Sequence, residues 1–126
     1  MLANTPAMAT IAVKDVSKAR TFYSQTLGLK ELQGMGDDVA LFESGGAKII
    51  VYKSEFAGTN EATSATWGVG DDLDAIVKTL QSKSVHFEHY EIPGLDRQGD
   101  IHVAGDFKAV WIKDPDGNIL HINNQP

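Results

Sequence analysis

Histidine is the residue type in this chain best suited to acid–base chemistry, and four are present, whereas cysteine is absent. Without cysteine, disulfides, thiolate metal sites and cysteine nucleophiles are excluded. Residues 86–91 hold two histidines and two glutamates. One interpretation of this run is an acid–base or metal cluster, because His86, Glu88 and Tyr90 would share one face of a strand. An outer strand with a solvated face explains the run as well, and we favour that interpretation.

His121 follows the richest turn sequence of the chain. Residues 114–118 read Asp-Pro-Asp-Gly-Asn, and apolar runs lie at 109–112 and 119–122. Proline fixes its own φ, while glycine and asparagine tolerate positive φ, so the stretch predicts a β-hairpin. Simple pairing of its strands would place Trp111 beside His121.

The face that carries Trp111 and His121 would also carry Phe107, Ala109 and Asn123. An apolar wall with a few polar groups is typical of small-ligand sites. A histidine in a desolvated pocket can titrate near neutral pH, which makes His121 a candidate general base. In the alternative interpretation Trp111 fills the core or a dimer interface.

Residues 91–106 predict a long loop, and long loops in small domains tend to be lids or binding loops. Arg97 and His102, with Asp96 and Asp100, could meet a ligand at the mouth of a cavity. Alternatively, the loop only covers a sheet edge.

The elements that must position these residues repeat along the chain. A strand, a helix and three strands are predicted over residues 7–53, and the same order over 64–123, with a polar linker at 54–63. Four pairs of landmarks stand 56 positions apart: Val13 and Val69, Asp15 and Asp71, Ala19 and Ala75, and Leu29 and Val85. We therefore predict an α+β fold made by internal duplication, forming a single domain over 1–126.

The predicted helix of the first module covers residues 16–27, capped by Asp15 and ended by Gly28. Alternation along the fourth predicted strand, 48–52, puts Ile50 and Tyr52 on one face.

The composition of the chain argues against two classes of binding partner, nucleic acids and membranes. Seventeen acidic and eleven basic residues give a formal charge of −6, which argues against nucleic-acid binding. No segment approaches membrane-spanning length, and the first residues lack the pattern of a secretory signal, so we expect a cytoplasmic protein without a membrane partner.

Several motifs together resemble the vicinal oxygen chelate superfamily, which includes glyoxalase I, bleomycin-resistance proteins and extradiol dioxygenases. In the first module they are Ile11–Asp15, Phe22-Tyr23 and Leu27–Leu29; in the second they are Trp67–Val69, Asp72–Ala75, Val85–Glu88 and Asp114–Asn118. The resemblance implies two β-α-β-β-β modules that form a curved, open mixed sheet around a cavity. Helices would pack on the convex face, and a second subunit would complete a homodimer.

The resemblance also implies positions for a divalent metal, which in this sequence are Met8, Ile50, Ser64 and His121. Met8 and Ile50 are poor ligands for a hard cation, serine is rarely one, and only His121 suits the role. We therefore predict no metal at the standard site. A divalent metal would need a rearranged site that combines His121 with His89 or His102.

The leading functional hypothesis is a metal-independent homodimer that sequesters a small cationic or aromatic molecule, as the bleomycin-resistance branch does. The predicted ligand-binding residues are Trp111, His121, Tyr52, Ile50, Phe107, Asn123, Arg97 and His102. The rival is a lyase, isomerase, epimerase or dioxygenase-type enzyme with His121 as base or with a rearranged metal. A third possibility is a regulatory module with a vestigial cavity.

Overall fold

The computed structural model describes residues 1–33 and 36–126. Contacts divide the chain into two units, residues 1–61 with 115–118 and residues 62–114 with 119–126. Each unit holds one open sheet, of four strands in the first and six in the second, with few helices. This architecture confirms the predicted α+β class. The glycines and aspartates of residues 34–38 predict a turn, which lies partly outside the described residues.

The first unit contains the elements predicted for the first module. They are β1 (Ala9–Val13), α1 (Val16–Thr21), β2 (Lys30–Leu32), β3 (Val39–Ser44) and β4 (Ala47–Lys53). The strand order is β1-β4-β3-β2, with β1 parallel to β4 and the other pairs antiparallel. Gly45 and Gly46 adopt φ of 55° and 85° in the tight turn between β3 and β4, a backbone conformation that glycine reaches without steric cost.

Helix α1 begins as predicted, but it does not continue as one α-helix to residue 27. The Asp15 side chain accepts a hydrogen bond from the Lys18 backbone N–H at 3.1 Å and caps the first turn. After Thr21 the chain widens into a π-helical segment, Phe22–Thr26, in which the Leu27 N–H bonds to the Phe22 carbonyl at 2.9 Å. Local helical periodicity does not distinguish these two windings.

The two faces of the first sheet differ in burial. Ile11, Val13, Ile49 and Val51 are buried. The opposite face of β4 carries Ile50, which is half-buried, and Tyr52, which is 37% exposed. The predicted sharing of a face by Ile50 and Tyr52 is confirmed by the strand register.

The second unit repeats this strand arrangement and adds to it. Its elements are β5 (Thr63–Gly68), α2 (Leu73–Ser82), β6 (His86–Glu88), β7 (Asp96–Gln98), β8 (Ile101–Ala104), β9 (Phe107–Lys113) and β10 (Ile119–Asn123). Strand β10 lies between the parallel strand β5 and the antiparallel strand β9. Beyond β9 lie β6, which pairs with residues 111–113, and β8, which pairs with 107–109.

The loop predicted over residues 91–106 is wrong, because it contains the hairpin of β7 and β8. Strand β7 has the sequence Asp-Arg-Gln and is fully exposed, so it carries no apolar alternation. The sequence also predicts a strand over residues 85–90, but the strand that forms there is shorter and ends at Glu88. Because turn residues flank this short polar strand, a local sequence pattern predicts a loop there.

The core of the second unit lies between α2 and one face of its sheet. Leu73, Val77 and Leu80 of α2 are buried, as are Ile112 and Leu120 of the sheet. Ile122 lies on this face too, and its register partner Trp67 is half-buried. No helix in the described part of the chain is both long and apolar enough to cross a membrane.

Candidate functional site

Three strands of the second unit place His121, Trp111 and Glu88 in one row across the sheet. His121 on β10 pairs with Trp111 on β9, and Trp111 pairs with Glu88 on β6. Residues directly opposite each other in antiparallel strands share a face. The predicted pairing of Trp111 with His121 is therefore confirmed. Both side chains are half-buried.

Trp111 is the centre of an aromatic cluster. Its ring lies 4.5 Å from that of His121, at an interplanar angle of 31°. His102 and Tyr90 meet it edge to face, at 4.9 Å and 5.3 Å between centroids. Such geometries favour aromatic pairs beyond the area that they bury. Tyr90 was not among the predicted site residues, although alternation from Glu88 put it on the same face.

His121 is hydrogen-bonded through both ring nitrogens. Its Nδ1 lies 3.2 Å from the Val110 carbonyl, and its Nε2 lies 3.1 Å from Asn123 Nδ2. Burial lowers the pKa of His121 below the usual histidine value, and the nearby His102 lowers it further, although the Val110 carbonyl opposes the shift. The ring is therefore neutral at pH 7.

His102 lies on β8 and is completely buried, so its predicted place on an exposed loop is wrong. The Tyr90 backbone N–H donates to its Nε2 at 2.9 Å, which leaves the ring proton on Nδ1. Among the described residues Nδ1 has no partner with good hydrogen-bond geometry, although the Ala109 backbone is close enough to oppose the lowering of the His102 pKa. Burial lowers the pKa of His102, because the charged ring would lose its hydration.

Glu88 continues the row of Trp111 and forms two ion pairs. Its carboxylate lies 2.9 Å from Lys113 Nζ and 3.1 Å from His86 Nε2. The Lys113 hydrogen bond is the largest cause that holds the pKa of Glu88 below its usual value. His86 is mostly exposed, with 64% of its side-chain surface accessible. In the run 86–91, His86, His89 and Glu91 are exposed, whereas Glu88 and Tyr90 are half-buried, so the predicted solvated face is present only in part.

His89 belongs to a second group, which we call the clasp and which consists of Gln81, His89, Arg97 and Asp100. His89 Nε2 lies 2.7 Å from Asp100 Oδ1, and Gln81 Nε2 donates to Asp100 Oδ2 at 3.0 Å. Arg97 donates to His89 Nδ1 at 3.2 Å. The clasp ties the end of α2 and the turn between β7 and β8 to the residue that precedes Tyr90.

The other predicted ligand-binding residues fall in both units. Phe107 and Asn123 share the Trp111 face of the second sheet by strand alternation. Ile50 and Tyr52 lie on β4 of the first unit. Arg97 lies on β7, opposite His102, and its guanidinium is held by the clasp. Ligand binding by these residues stays a prediction.

The residues at the implied metal positions do not fit a divalent cation. Met8 precedes β1 and offers a soft thioether, and Ile50 has no donor atom. Ser64 is the extra residue at a register shift, because Ile119 pairs with Thr63 and Leu120 with Ala65.

Of the three histidines of a rearranged site, His121 and His89 are engaged through both ring nitrogens, whereas His102 is engaged through Nε2. Both nitrogens of His121 and both nitrogens of His89 have hydrogen-bond partners. Residues 1–33 and 36–126 contain no group of three His, Cys, Asp or Glu side chains placed to hold a metal.

Similarity to solved structures supports the fold. Over 96% of its length the chain superposes on 94% of a lactoylglutathione lyase from Agrobacterium tumefaciens, with 15% identity and a TM-score of 0.69. A glyoxalase/bleomycin resistance protein/dioxygenase from Alicyclobacillus acidocaldarius is also similar, with 18% identity and a TM-score of 0.70. The match covers 95% of this chain and 90% of that protein.

A variant of the fosfomycin resistance protein FosX from Listeria monocytogenes, solved with Mn(II) and 1S,2S-dihydroxypropylphosphonic acid, matches the whole chain. The match has 14% identity and a TM-score of 0.74, and it covers 93% of the FosX variant. Structural likeness at this identity establishes the fold alone. A family model matches residues 5–122. The chain therefore belongs to the Glyoxalase/Bleomycin resistance protein/Dioxygenase superfamily.

Proposed function

We propose that this chain binds a small planar or cationic molecule on the Trp111 face of its second unit and does so without a resident metal. The observation that carries the proposal is the half-buried pair of Trp111 and His121, whose rings lie 4.5 Å apart. A tryptophan that is neither fully buried nor isolated offers a large apolar contact area with low side-chain entropy.

The donor chemistry of the implied metal positions supports the metal-independent part of the proposal. A divalent metal needs several converging nitrogen or oxygen ligands with open positions for substrate. Of Met8, Ile50, Ser64 and His121, only His121 is a good ligand, and its nitrogens already have partners.

The electrostatics support a ligand that is cationic or neutral. The faces of tryptophan, tyrosine and neutral imidazole rings are electron-rich and attract cations. The formal charge of the chain, −6, adds a weak long-range attraction for positive ligands.

A homodimer is part of this proposal. Both sheets are open, and open edges need cover. Ile50 and the 37%-exposed Tyr52 give the first sheet a partly exposed apolar face as well. Sedimentation equilibrium tests the dimer directly, and a monomer at micromolar concentration contradicts it.

Calorimetric titration with 1-methylquinolinium, a planar bicyclic cation, tests the binding site. We expect measurable binding by the wild type and loss of most of the affinity in Trp111→Leu. Phe56→Ala, which removes a 79%-exposed aromatic from the first unit, is the matched control and should bind as the wild type does. Equal affinity in Trp111→Leu and the wild type would contradict the proposed site.

Elemental analysis of dialysed protein tests the metal-independent part. We expect close to zero metal per subunit and no rise in Tm when Ni²⁺, Zn²⁺, Mn²⁺ or Fe²⁺ is added. Stoichiometric metal would instead favour the enzyme hypothesis. In that case His121→Ala should abolish turnover, whereas in a sequestering protein it should only weaken binding.

A further inference from the structure

The amide orientation of Asn123 is determined by the backbone at residue 125. The Gln125 backbone N–H can only donate, and it lies 3.0 Å from the side-chain oxygen of Asn123. The amide nitrogen, Nδ2, therefore points the other way, to His121 Nε2 at 3.1 Å. Because Nδ2 can only donate, His121 Nε2 must accept and carries no proton.

The protonation of the other ring nitrogen of His121, Nδ1, is determined by a group on the opposite side of the ring. The Val110 carbonyl can only accept, and it lies 3.2 Å from Nδ1. Nδ1 therefore carries the ring proton. A doubly protonated ring would bring an Nε2 proton against the Asn123 amide protons, so this arrangement also disfavours the imidazolium form.

We propose that Asn123 is a positioning residue that locks His121 as a neutral imidazole protonated at Nδ1, and that this lock makes the site prefer planar cations to planar anions. The preference rests on the proposed ligand-binding function, whereas the lock itself does not. Since both nitrogens of the ring have partners, a ligand meets the rings of His121 and Trp111 through their faces rather than through a hydrogen bond to the imidazole.

The charge state of His121 would decide this preference. A neutral imidazole stacked 4.5 Å from Trp111 adds a second electron-rich surface, whereas an imidazolium would repel a cation and attract an anion. The neighbouring ion pair of Glu88 and Lys113 is balanced in charge, so it does not favour either sign.

The test replaces Asn123 by aspartate. In Asn123→Asp the carboxylate still accepts from the Gln125 N–H, but it can also accept an Nε2 proton from His121. We expect ¹⁵N NMR of the histidine rings at pH 7 to show a protonated Nδ1 and a bare Nε2 in the wild type, and two protonated nitrogens in the variant. His121→Gln identifies the signals, and Asn123→Ala, in which the Val110 carbonyl still accepts from Nδ1, should keep the neutral form protonated at Nδ1.

Binding is measured with two planar bicyclic probes of opposite charge, 1-methylquinolinium and 2-naphthoate. In Asn123→Asp the new carboxylate offsets the charge of the imidazolium, so the change that remains is loss of the electron-rich imidazole face. We therefore expect affinity for the cation to fall by about two- to fivefold, the range of an exposed cation–π contact, and affinity for the anion to change less. Gln125→Ala is the matched control, because residue 125 takes part through its backbone N–H, and it should match the wild type in both assays.

The two parts of the proposal fail separately. A proton on Nε2 in the wild type, or identical ring signals in Asn123→Asp, would overturn the lock. If the wild type binds neither probe, the preference fails together with the proposed function, while the NMR result still decides the lock. Circular dichroism and Tm of every variant show whether it has folded.

Discussion

The indole of Trp111 and the imidazole of His121 lie 4.5 Å apart between centroids and 31° from parallel, because β9 and β10 pair these two residues directly. The same register places Glu88 next to Trp111 on β6. A hydrophobic platform with an imidazole on one side and a carboxylate on the other follows from strand pairing alone. Three further predictions concern its surroundings, and a fourth concerns Gly58 in the first unit.

Stability should decrease as pH falls from 7.5 to 5.5, because burial lowers the pKa values of both His102 and His121. In this range the unfolded chain takes up protons that the folded chain does not. The stabilising contribution of each histidine is therefore complete above the ordinary histidine pKa, and it is lost as pH falls through the pKa of that histidine in the folded chain. Each histidine contributes up to about 1.4 kcal/mol per pH unit.

Urea unfolding at several pH values measures this slope. We expect His121→Gln and His102→Asn each to flatten it. Measuring above pH 5 keeps the carboxyls of Glu88 and Asp100, whose pKa values are lowered, from contributing strongly. An unchanged slope in both variants would mean that neither histidine is the source.

The clasp should stabilise the segment that carries Tyr90. Gln81 and His89 both bond to the Asp100 carboxylate and hold its pKa below the usual value, Gln81 having the larger effect. We expect Asp100→Ala to lose about 0.5–1.5 kcal/mol of unfolding free energy and to weaken the near-UV circular dichroism of the Trp111 cluster. Asp96→Ala, an exposed neighbour on β7, should change neither measurement. Equal effects of the two substitutions would show that the clasp has no specific role.

Removing the Lys113 ammonium should strengthen the binding of a cation beside Trp111. Lys113 Nζ lies 2.9 Å from the Glu88 carboxylate. Lys113→Met leaves this carboxylate with its contact to His86 at 3.1 Å, and the pKa of Glu88 should move up toward its ordinary value. We expect affinity for 1-methylquinolinium to rise up to about fivefold, corresponding to a partly exposed charge pair of about 1 kcal/mol.

The control for this variant is Lys108→Met. Lys108 lies on the same strand but alternates to the other face, where it pairs with Asp74 at 3.4 Å. Both substitutions remove one positive charge, so a rise in both affinities would indicate a general charge effect rather than a local one.

Gly58 should tolerate alanine less well than Gly94 does. Both glycines adopt positive φ, 79° and 89°, so both substitutions incur backbone strain. A Cβ at Gly58 would lie 2.6 Å from the Asp116 carbonyl oxygen, whereas a Cβ at Gly94 meets nothing within 4 Å. We expect Gly58→Ala to be the more destabilising by at least about 1 kcal/mol in chemical unfolding. Equal losses would show that the Asp116 backbone moves aside freely.

The sequence by itself determined the order of the elements in the first unit and the faces of β4, β9 and β10. Turn chemistry around Gly117 and alternation along β9 and β10 placed Trp111 beside His121, because both signals are local and a hairpin fixes its own register. The common spacing between Val13 and Val69 likewise indicated two similar strand orders, which both sheets show.

Only the tertiary structure decided how His121 and His102 are hydrogen-bonded. The bonds from Gln125 through Asn123 to His121 depend on side-chain rotamers that a local pattern does not specify. The bond from Tyr90 to His102 depends on a backbone group that lies 12 positions away in the sequence. The polar strand β7 brings its partner β8, and with it His102, beside β9 without any apolar pattern of its own. Periodicity records which side of a strand a residue faces, whereas the charge state of a ring depends on the atoms that meet its two nitrogens.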